Sequence, residues 1–362
     1  MGYGYTSCLT CHYNPFGNGP LTDYGRALGA TTVSDRMMWS KETTEDEIGQ
    51  KSGFMYSKPA LEWLRPALNY RGLKLYKNYG KKTETSEYIT MQASASLVLR
   101  LGPTDNRDKF IAVVEGGYAP TPRSDKNNTE DNYRSREHYL GYRINERWGV
   151  YAGLMDKAFG IRVPDHIAFS RISTQNTMND QVHGLLLHYT RPEFEIGVHP
   201  FVGNLSQDSD LRVKGAAATG EYTWGPKTRL GLSFISSKST FLSQNNLALH
   251  GRWGFGKGNS LLAETGISSK TIERNQQNTK SQYLFLQGHV EARRGLFALV
   301  TSEYFKANTA LKNEIMRMGP GIQWFPMNGF EFRADIYNTR VFSPDSVSDD
   351  TWDLTGQVHL WF

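Results

Sequence analysis

The sequence predicts an all-β protein, an antiparallel transmembrane β-barrel of about 16 strands over residues 61–362, preceded by a segment of different character, residues 1–60. Three observations lead there. Segments of 10 to 15 residues alternate apolar and polar side chains, polar or Gly/Pro turns separate them, and no stretch after Trp63 keeps a helical period. The formal net charge of +5 is spread along the chain without a Lys/Arg block, so nucleic acid is excluded as a partner. Composition then removes rival classes. Two cysteines are too few for a disulfide scaffold, and 19 Tyr, 18 Phe and 8 Trp are too many for a disordered chain. No stretch of about 20 apolar residues offers a membrane helix. A mean hydropathy of -0.54 reads as soluble, yet a barrel whose strands alternate lipid-facing and water-facing residues gives the same average.

The N-terminal segment comes first. Met1-Gly2-Tyr3-Gly4-Tyr5 lacks the apolar core of a secretory signal, so the protein is either cytosolic or numbered from its mature start. Both cysteines then fall in Cys8-Leu9-Thr10-Cys11-His12, a C-x-x-C-H sequence, which is the signature of covalent c-type haem attachment. Two thiols three residues apart can each add to one haem vinyl group, and the adjacent imidazole of His12 turns under the porphyrin as the proximal iron ligand. A thioredoxin-like pair needs a preceding strand, and a zinc site needs a second ligand pair; neither is present. One covalent haem c is therefore expected, and its attachment outside the bacterial cytoplasm implies export.

The following stretch, Tyr13 to Leu28, is rich in Gly and Pro, which lets backbone pass close to a flat macrocycle. Pro15, Phe16 and Tyr24 are candidates to pack on it. A short helix is expected from Thr22 to Gly29, capped by Thr22 or Asp23 and stopped by Gly29. The segment is too short for a complete cytochrome fold, so the haem needs the barrel as its second wall. For the sixth iron ligand, Met37 and Met38 lie in the same segment, while strand parity turns His188, His199, His250, His289 and His359 toward the lumen. Apolar packing beside Trp39 is an equal reading of the methionines, and a solvated lumen role outweighs ligation for each histidine.

The barrel strands follow, centred near residues 70, 94, 113, 139, 152, 186, 197, 217, 233, 250, 264, 287, 301, 319, 335 and 357. In residues 88–101, Ile89, Met91, Ala93, Ala95, Leu97, Leu99 and Leu101 form an apolar face opposed to Tyr88, Thr90, Gln92 and their neighbours. Residues 227–238 and 329–341 repeat the pattern with charges on the second face. Polar stretches at Thr121–Asn132, Gly160–Asp180, Ile272–Lys280 and Ser343–Asp350 are expected as extracellular loops, with Gly160–Asp180 the one candidate to fold inward as a constriction. By parity the lumen receives Arg100, Arg143, Glu193, Glu195, Arg212, Lys214, Arg229, Arg252, Glu291, Arg317, Glu331, Arg333 and Asp335, an excess of basic groups of 8 to 5. Such an excess favours anions weakly. The soluble alternative is a large β-sandwich or a propeller, and a propeller would show a blade repeat of about 40 residues, which is not found.

In Trp352–Phe362 the strand alternates to its end on a terminal Phe, which resembles the C-terminal assembly signal of bacterial outer-membrane barrels. The block Cys8 to Arg26, C-x-x-C-H-x-N-P-x-G-x-G, followed by a barrel, resembles the single-haem porin-like outer-membrane family. The resemblance implies haem binding and bacterial outer-membrane placement, with the haem segment on the periplasmic side or in the lumen. Two function classes follow. The first is electron transfer together with a partner multihaem cytochrome or periplasmic electron carrier. The alternative is a porin or scaffold barrel, alone, as a homo-oligomer or in a larger envelope complex, whose haem segment is a structural plug or docking element. Outer-membrane lipid is a partner in either case. No nucleophile-base constellation, phosphate loop or zinc motif stands out, so no enzyme activity is expected.

Overall fold

The computed structural model describes residues 2–118, 133–163, 165, 167–177, 179–344 and 350–362. The expected loop at Thr121–Asn132 lies outside the described residues, as does most of Ser343–Asp350. Sixteen antiparallel strands close on themselves, each paired with its sequence neighbours and the first with the last. They are β1 (Leu64–Lys77), β2 (Thr85–Arg100), β3 (Phe110–Tyr118), β4 (Tyr133–Arg143), β5 (Trp148–Met155), β6 (Val182–Thr190), β7 (Phe194–Phe201), β8 (Lys214–Thr223), β9 (Thr228–Lys238), β10 (Leu242–Gly256), β11 (Asn259–Ile272), β12 (Gln277–Arg293), β13 (Leu296–Lys306), β14 (Glu314–Trp324), β15 (Phe330–Phe342) and β16 (Thr351–Trp361). Closure satisfies every edge that an open sheet would leave unpaired. The even count leaves both chain termini at one end.

Alternation sorts the side chains. In β9, Leu230, Leu232 and Phe234 are exposed on the outer wall while Arg229, Ser233 and Ile235 are buried, and β15 repeats this with Phe332 and Ile336 outside and Arg333, Asp335 and Tyr337 inside. The outward set runs around the barrel through Leu97, Val114, Leu140, Leu185, Leu249, Ile267, Val300 and Ile322, all more than a third exposed. A continuous apolar belt of this size has no counterpart on water-soluble monomers. The core lies inside the wall, where Val98, Ile111, Tyr139, Tyr151 and Leu186 cluster around Tyr13 of the N-terminal segment.

Bulges overturn part of the parity reading. The β1–β2 register shifts between Arg71 and Gly72, pairing them with Gln92 and Thr90 and skipping Met91. One extra residue exchanges the faces of the strand beyond it. Ile89 and Met91, expected on the outer face, therefore turn inward and pack with Leu73 and Leu75, while Tyr88 turns out. A second shift in β3–β4, between Glu115 and Gly116, brings both Arg136 and Glu137 inside. Three expected lumen charges are elsewhere: Glu193 is exposed in the turn after β6, Arg212 is half-buried in the connection after β7, and Lys214 is exposed at the open start of β8. Removing two basic groups and one acid leaves the expected set at 6 to 4, and among the buried side chains the excess is gone. The fully buried strand-borne charges among the described residues are Arg65, Arg71, Arg136, Arg229, Arg317 and Arg333 against Glu115, Glu137, Glu195, Glu264, Glu303, Glu331 and Asp335. That balance favours ion pairing across the lumen over anion attraction.

Connections at the end away from the termini run from three residues, 239–241, to twenty-six, 156–181. Ile272–Lys280, expected as a long loop, is a tight turn at residues 273–276 between two strands that pair to Ile272 and Gln277. The long connection, residues 156–181, folds into the lumen and carries α3 (Phe169–Thr174). Wall side chains hold it by its backbone. Ser233 Oγ accepts from Gly160 N (3.0 Å), Glu264 Oε2 from Ile161 N (2.5 Å) and Glu303 Oε1 from Phe169 N (2.8 Å), while Asn246 Nδ2 donates to Thr174 O (3.0 Å). Ile161, Val163 and Ala168 add an apolar contact with Phe285.

Glu303 is also the carboxylate of Arg317, whose Nε donates to it at 2.7 Å. Glu303→Ala removes both bonds and leaves a buried guanidinium without its carboxylate, a loss of about 3 to 5 kcal/mol for a pair of this kind. The expected outcome is protease cleavage within 156–181 while the barrel keeps its heat-modifiable gel mobility; a variant as resistant as the parent would show that the loop is held by other contacts.

Ahead of β1, α1 (Asp23–Leu28) is capped by Thr22, whose Oγ1 accepts from Gly25 N. Gly29 does not stop the chain's winding, contrary to expectation. It begins a wider π-helical turn, Gly29–Val33, closed by Ser34 N donating to Gly29 O (2.8 Å), because Gly29 keeps ordinary right-handed angles. α2 (Glu45–Gln50) starts on a reciprocal Thr44/Glu47 capping box.

Candidate functional site

The C-x-x-C-H residues form a tight turn. Cys8–Thr10 is one turn of 3₁₀ helix, and Cys8 O accepts from both Cys11 N (3.1 Å) and His12 N (2.9 Å). His12 then pairs with Leu21, Tyr13 N donates to Pro20 O and Thr22 N to Cys11 O, so residues 13–20 are a closed loop. Its tip needs left-handed backbone at Gly17 (φ 78°), Asn18 (φ 69°) and Gly19 (φ 64°), which Gly and Asn adopt at least cost. Gly25 sits where a Cβ would stand 2.3 Å from Cys11 O, so α1 packs directly on the backbone of the cysteine turn.

The barrel wall grips this head from all sides. Arg65 makes a two-pronged contact with Asp23 (Nε 2.6 Å, Nη2 2.8 Å), and Arg100 adds a third bond at 3.1 Å. Arg26 donates to Pro66 O, and Asn14 Nδ2 to Glu137 Oε1. Phe16 wedges its ring edge-on against His188 at 5.5 Å, over Gly197, where a Cβ would strike the ring. Arg252 reaches Cys8 Sγ at 3.8 Å and joins Glu221. The inward connection completes the enclosure, with Asn18 Nδ2 donating to Asp156 (3.1 Å) and Arg162 Nη1 to Gly17 O (3.2 Å). The N-terminal head and the 156–181 loop thus meet inside the lumen.

The donor set fits a covalent haem. The two thiols are free of any disulfide. Burial pushes both thiols up, with Arg252 pulling Cys8 partly back, so they remain neutral. His12 makes a long hydrogen bond from Nδ1 to Gly19 O (3.4 Å). An imidazole held by a carbonyl at Nδ1 presents Nε2 to a metal. Burial lowers its basicity, which keeps the ring neutral and ligand-competent. A cavity of about 220 Å³ opens beside the ring, lined by Arg26, Arg71, Arg136, His359, Trp361 and Phe362 among others. Its arginines suit the carboxylates of such a group, and its volume takes part of a macrocycle.

The other predicted residues are distributed as follows. Pro15 is buried in the loop, and Tyr24 is half exposed and pairs with Tyr5. Met37 and Met38 are exposed beside the turn after β14, where Met37 N donates to Pro326 O. All five histidines face inward, each in a different setting. His188 bonds Glu195 (2.8 Å), His250 contacts Glu221 (3.2 Å), His289 bonds Gln287 (3.0 Å), and His199 is fully buried near Phe201. His359 lines the cavity that His12 lines, with its nitrogens on Glu331 (2.8 Å) and Asn69 (3.1 Å). Sequence reasoning missed the Asp23 clamp of Arg65 and Arg100, and missed Arg162 and Asn18. Parity read from Arg100 along β2 pointed to a lumen charge, but no local signal pairs it with residue 23.

No family model and no curated protein matches the chain. Solved structures do match its fold. The outer-membrane protein OmpT of Vibrio cholerae aligns with a TM-score of 0.63 at 9% identity, covering 83% of this chain and 97% of its own. The outer-membrane channel DcaP of Acinetobacter baumannii gives 0.60 at 11% over 83% and 97%. An anion-selective porin from Comamonas acidovorans gives 0.62 at 10% over 83% and 99%. The fold is that of a porin.

Proposed function

We propose that this chain is a porin-like barrel of the bacterial outer membrane whose lumen is filled by its own N-terminal segment, which carries one haem c on Cys8 and Cys11 with His12 as proximal ligand. It serves as a closed scaffold or docking barrel of an envelope assembly, alone or as a homo-oligomer, without catalysis of its own. The observation that carries the reading is the meeting of Gly17 and Asn18 with Arg162 and Asp156 across the lumen, where an open porin holds water. The apolar belt and the porin fold support membrane insertion, and the common end of the termini is read as periplasmic.

Electron transfer with a multihaem cytochrome or periplasmic carrier is the second reading, favoured by the orientation of His12. When bound, the haem supplies one-electron chemistry. This chain's own part is to hold the ring of His12 through Gly19 O, to enclose the head through Arg65, Arg100 and Asp23, and to exclude bulk water with Phe16 and the 156–181 loop. A single cofactor does not span an apolar core of about 25 Å, so that reading needs the partner. The test is an optical spectrum of protein from outer membranes, oxidised and dithionite-reduced, beside a haem-stained denaturing gel. A stained band with sharp low-spin reduced bands is expected for electron transfer, a high-spin spectrum for an open iron position, and absence of stain removes the haem from both readings.

A further inference from the structure

Outside the lumen, one feature of the wall is not absorbed by the barrel reading. At the end that holds the termini, a groove of about 1210 Å³ runs on the outer face between the β4–β5 turn and strands β6 and β7. Its floor is apolar, with Leu187, Ile196 and Val198 each about two-fifths exposed. Its lower part is aromatic: Trp148 and Tyr189 lie 4.6 Å apart, Tyr189 and Phe194 5.5 Å, and the Arg191 guanidinium stands over both Tyr189 (5.7 Å) and Phe194 (5.9 Å). Lys109 and Arg147 border the same groove from neighbouring turns, with Glu146 as the one acid. None of the three basic side chains forms an ion pair among the described residues.

We propose that this groove is a binding site for an anionic phospholipid, with acyl chains on Leu187, Ile196 and Val198, the glycerol region at Trp148 and Tyr189, and the phosphate at Arg147, Arg191 and Lys109. The inference rests on the membrane reading and adds to it a specific lipid class at one place. The order of chemistry along the groove, apolar then aromatic then cationic, is the order of a phospholipid from tail to head. A plain aromatic girdle needs no cluster of guanidinium groups. With Arg143 also on the lining, four basic groups against one acid leave a local charge of +3, which attracts a phosphodiester and opposes the apposition of a second copy through the same rim.

The test uses the full chain inserted into vesicles of phosphatidylcholine or of phosphatidylcholine with phosphatidylglycerol, extracted gently and analysed for retained lipid by native mass spectrometry. The parent is expected to retain phosphatidylglycerol in preference, and R147Q/R191Q to bind it about 30-fold more weakly, about fivefold for each basic group removed near the surface. Heat-modifiable gel mobility shows that the variant is folded. Equal retention of the two lipids by the parent overturns the proposal, as does a cross-linked homo-oligomer that buries Trp148 and excludes lipid. Failure to insert into either vesicle overturns the membrane reading itself, which is a different result from insertion without preference.

Discussion

Deletion of residues 2–29 raises the conductance of the barrel in planar bilayers by at least about tenfold, since a 16-strand barrel without a plug leaves an aqueous channel. The head is held in the lumen by contacts that all belong to those residues: Asp23 with Arg65 and Arg100, Arg26 with Pro66, Asn14 with Glu137, and Phe16 on His188. Removing them leaves the strand pairing untouched, because no strand begins before Leu64. The 156–181 loop keeps its own anchors on Ser233, Glu264 and Glu303 and narrows the opened pore without replacing the head. A full-length protein that already conducts like an open porin contradicts the closed scaffold. A deleted protein that stays silent, while still heat-modifiable, shows instead that the loop alone closes the lumen.

The second large effect is on the proposed haem. Replacing Cys8 and Cys11 together with Ala is expected to remove the haem-stained band completely, with the barrel still inserted in the outer membrane. The thiols are the only sulfur nucleophiles of cysteine in the chain, so no other pair can substitute. Either single replacement leaves one thioether position and a stained band of reduced intensity. Persistence of full stain in the double variant refutes covalent attachment at this turn. Loss of barrel assembly along with the stain gives the head a part in folding, through the clamp that Asp23 makes on β1 and β2.

The strand set was legible because period-two alternation is a local property. Each predicted centre lies within about three residues of the middle of its strand, and the apolar faces of β9, β15 and β16 are those read from the chain. What escaped was long-range or depended on a single extra residue. Nothing in Ile89–Met91 announces the bulge opposite Arg71–Gly72, yet it moves two apolar side chains from the outer wall to the inside. Charges such as Glu193 and Arg212 were misplaced because parity was carried past strand ends into turns. The cysteine turn was plain from five residues. Its enclosure by Arg65, Arg100 and Arg162 was not, since those partners lie 42, 77 and 145 residues away from the groups they bind.

The closing seam joins β1 to β16 immediately beside the head, and Leu68 and Phe362 exchange backbone bonds there. The head precedes β1 in the chain and ends up surrounded by all the strands that follow it. Threading a bulky, glycine-kinked loop through a finished cylinder is not required by this connectivity; the last hydrogen-bonded zipper can form around a head already docked on β1 and β2. The connectivity thus lets the plug be seated on β1 and β2 before β16 zips onto β1, so that the cylinder closes around its own filling.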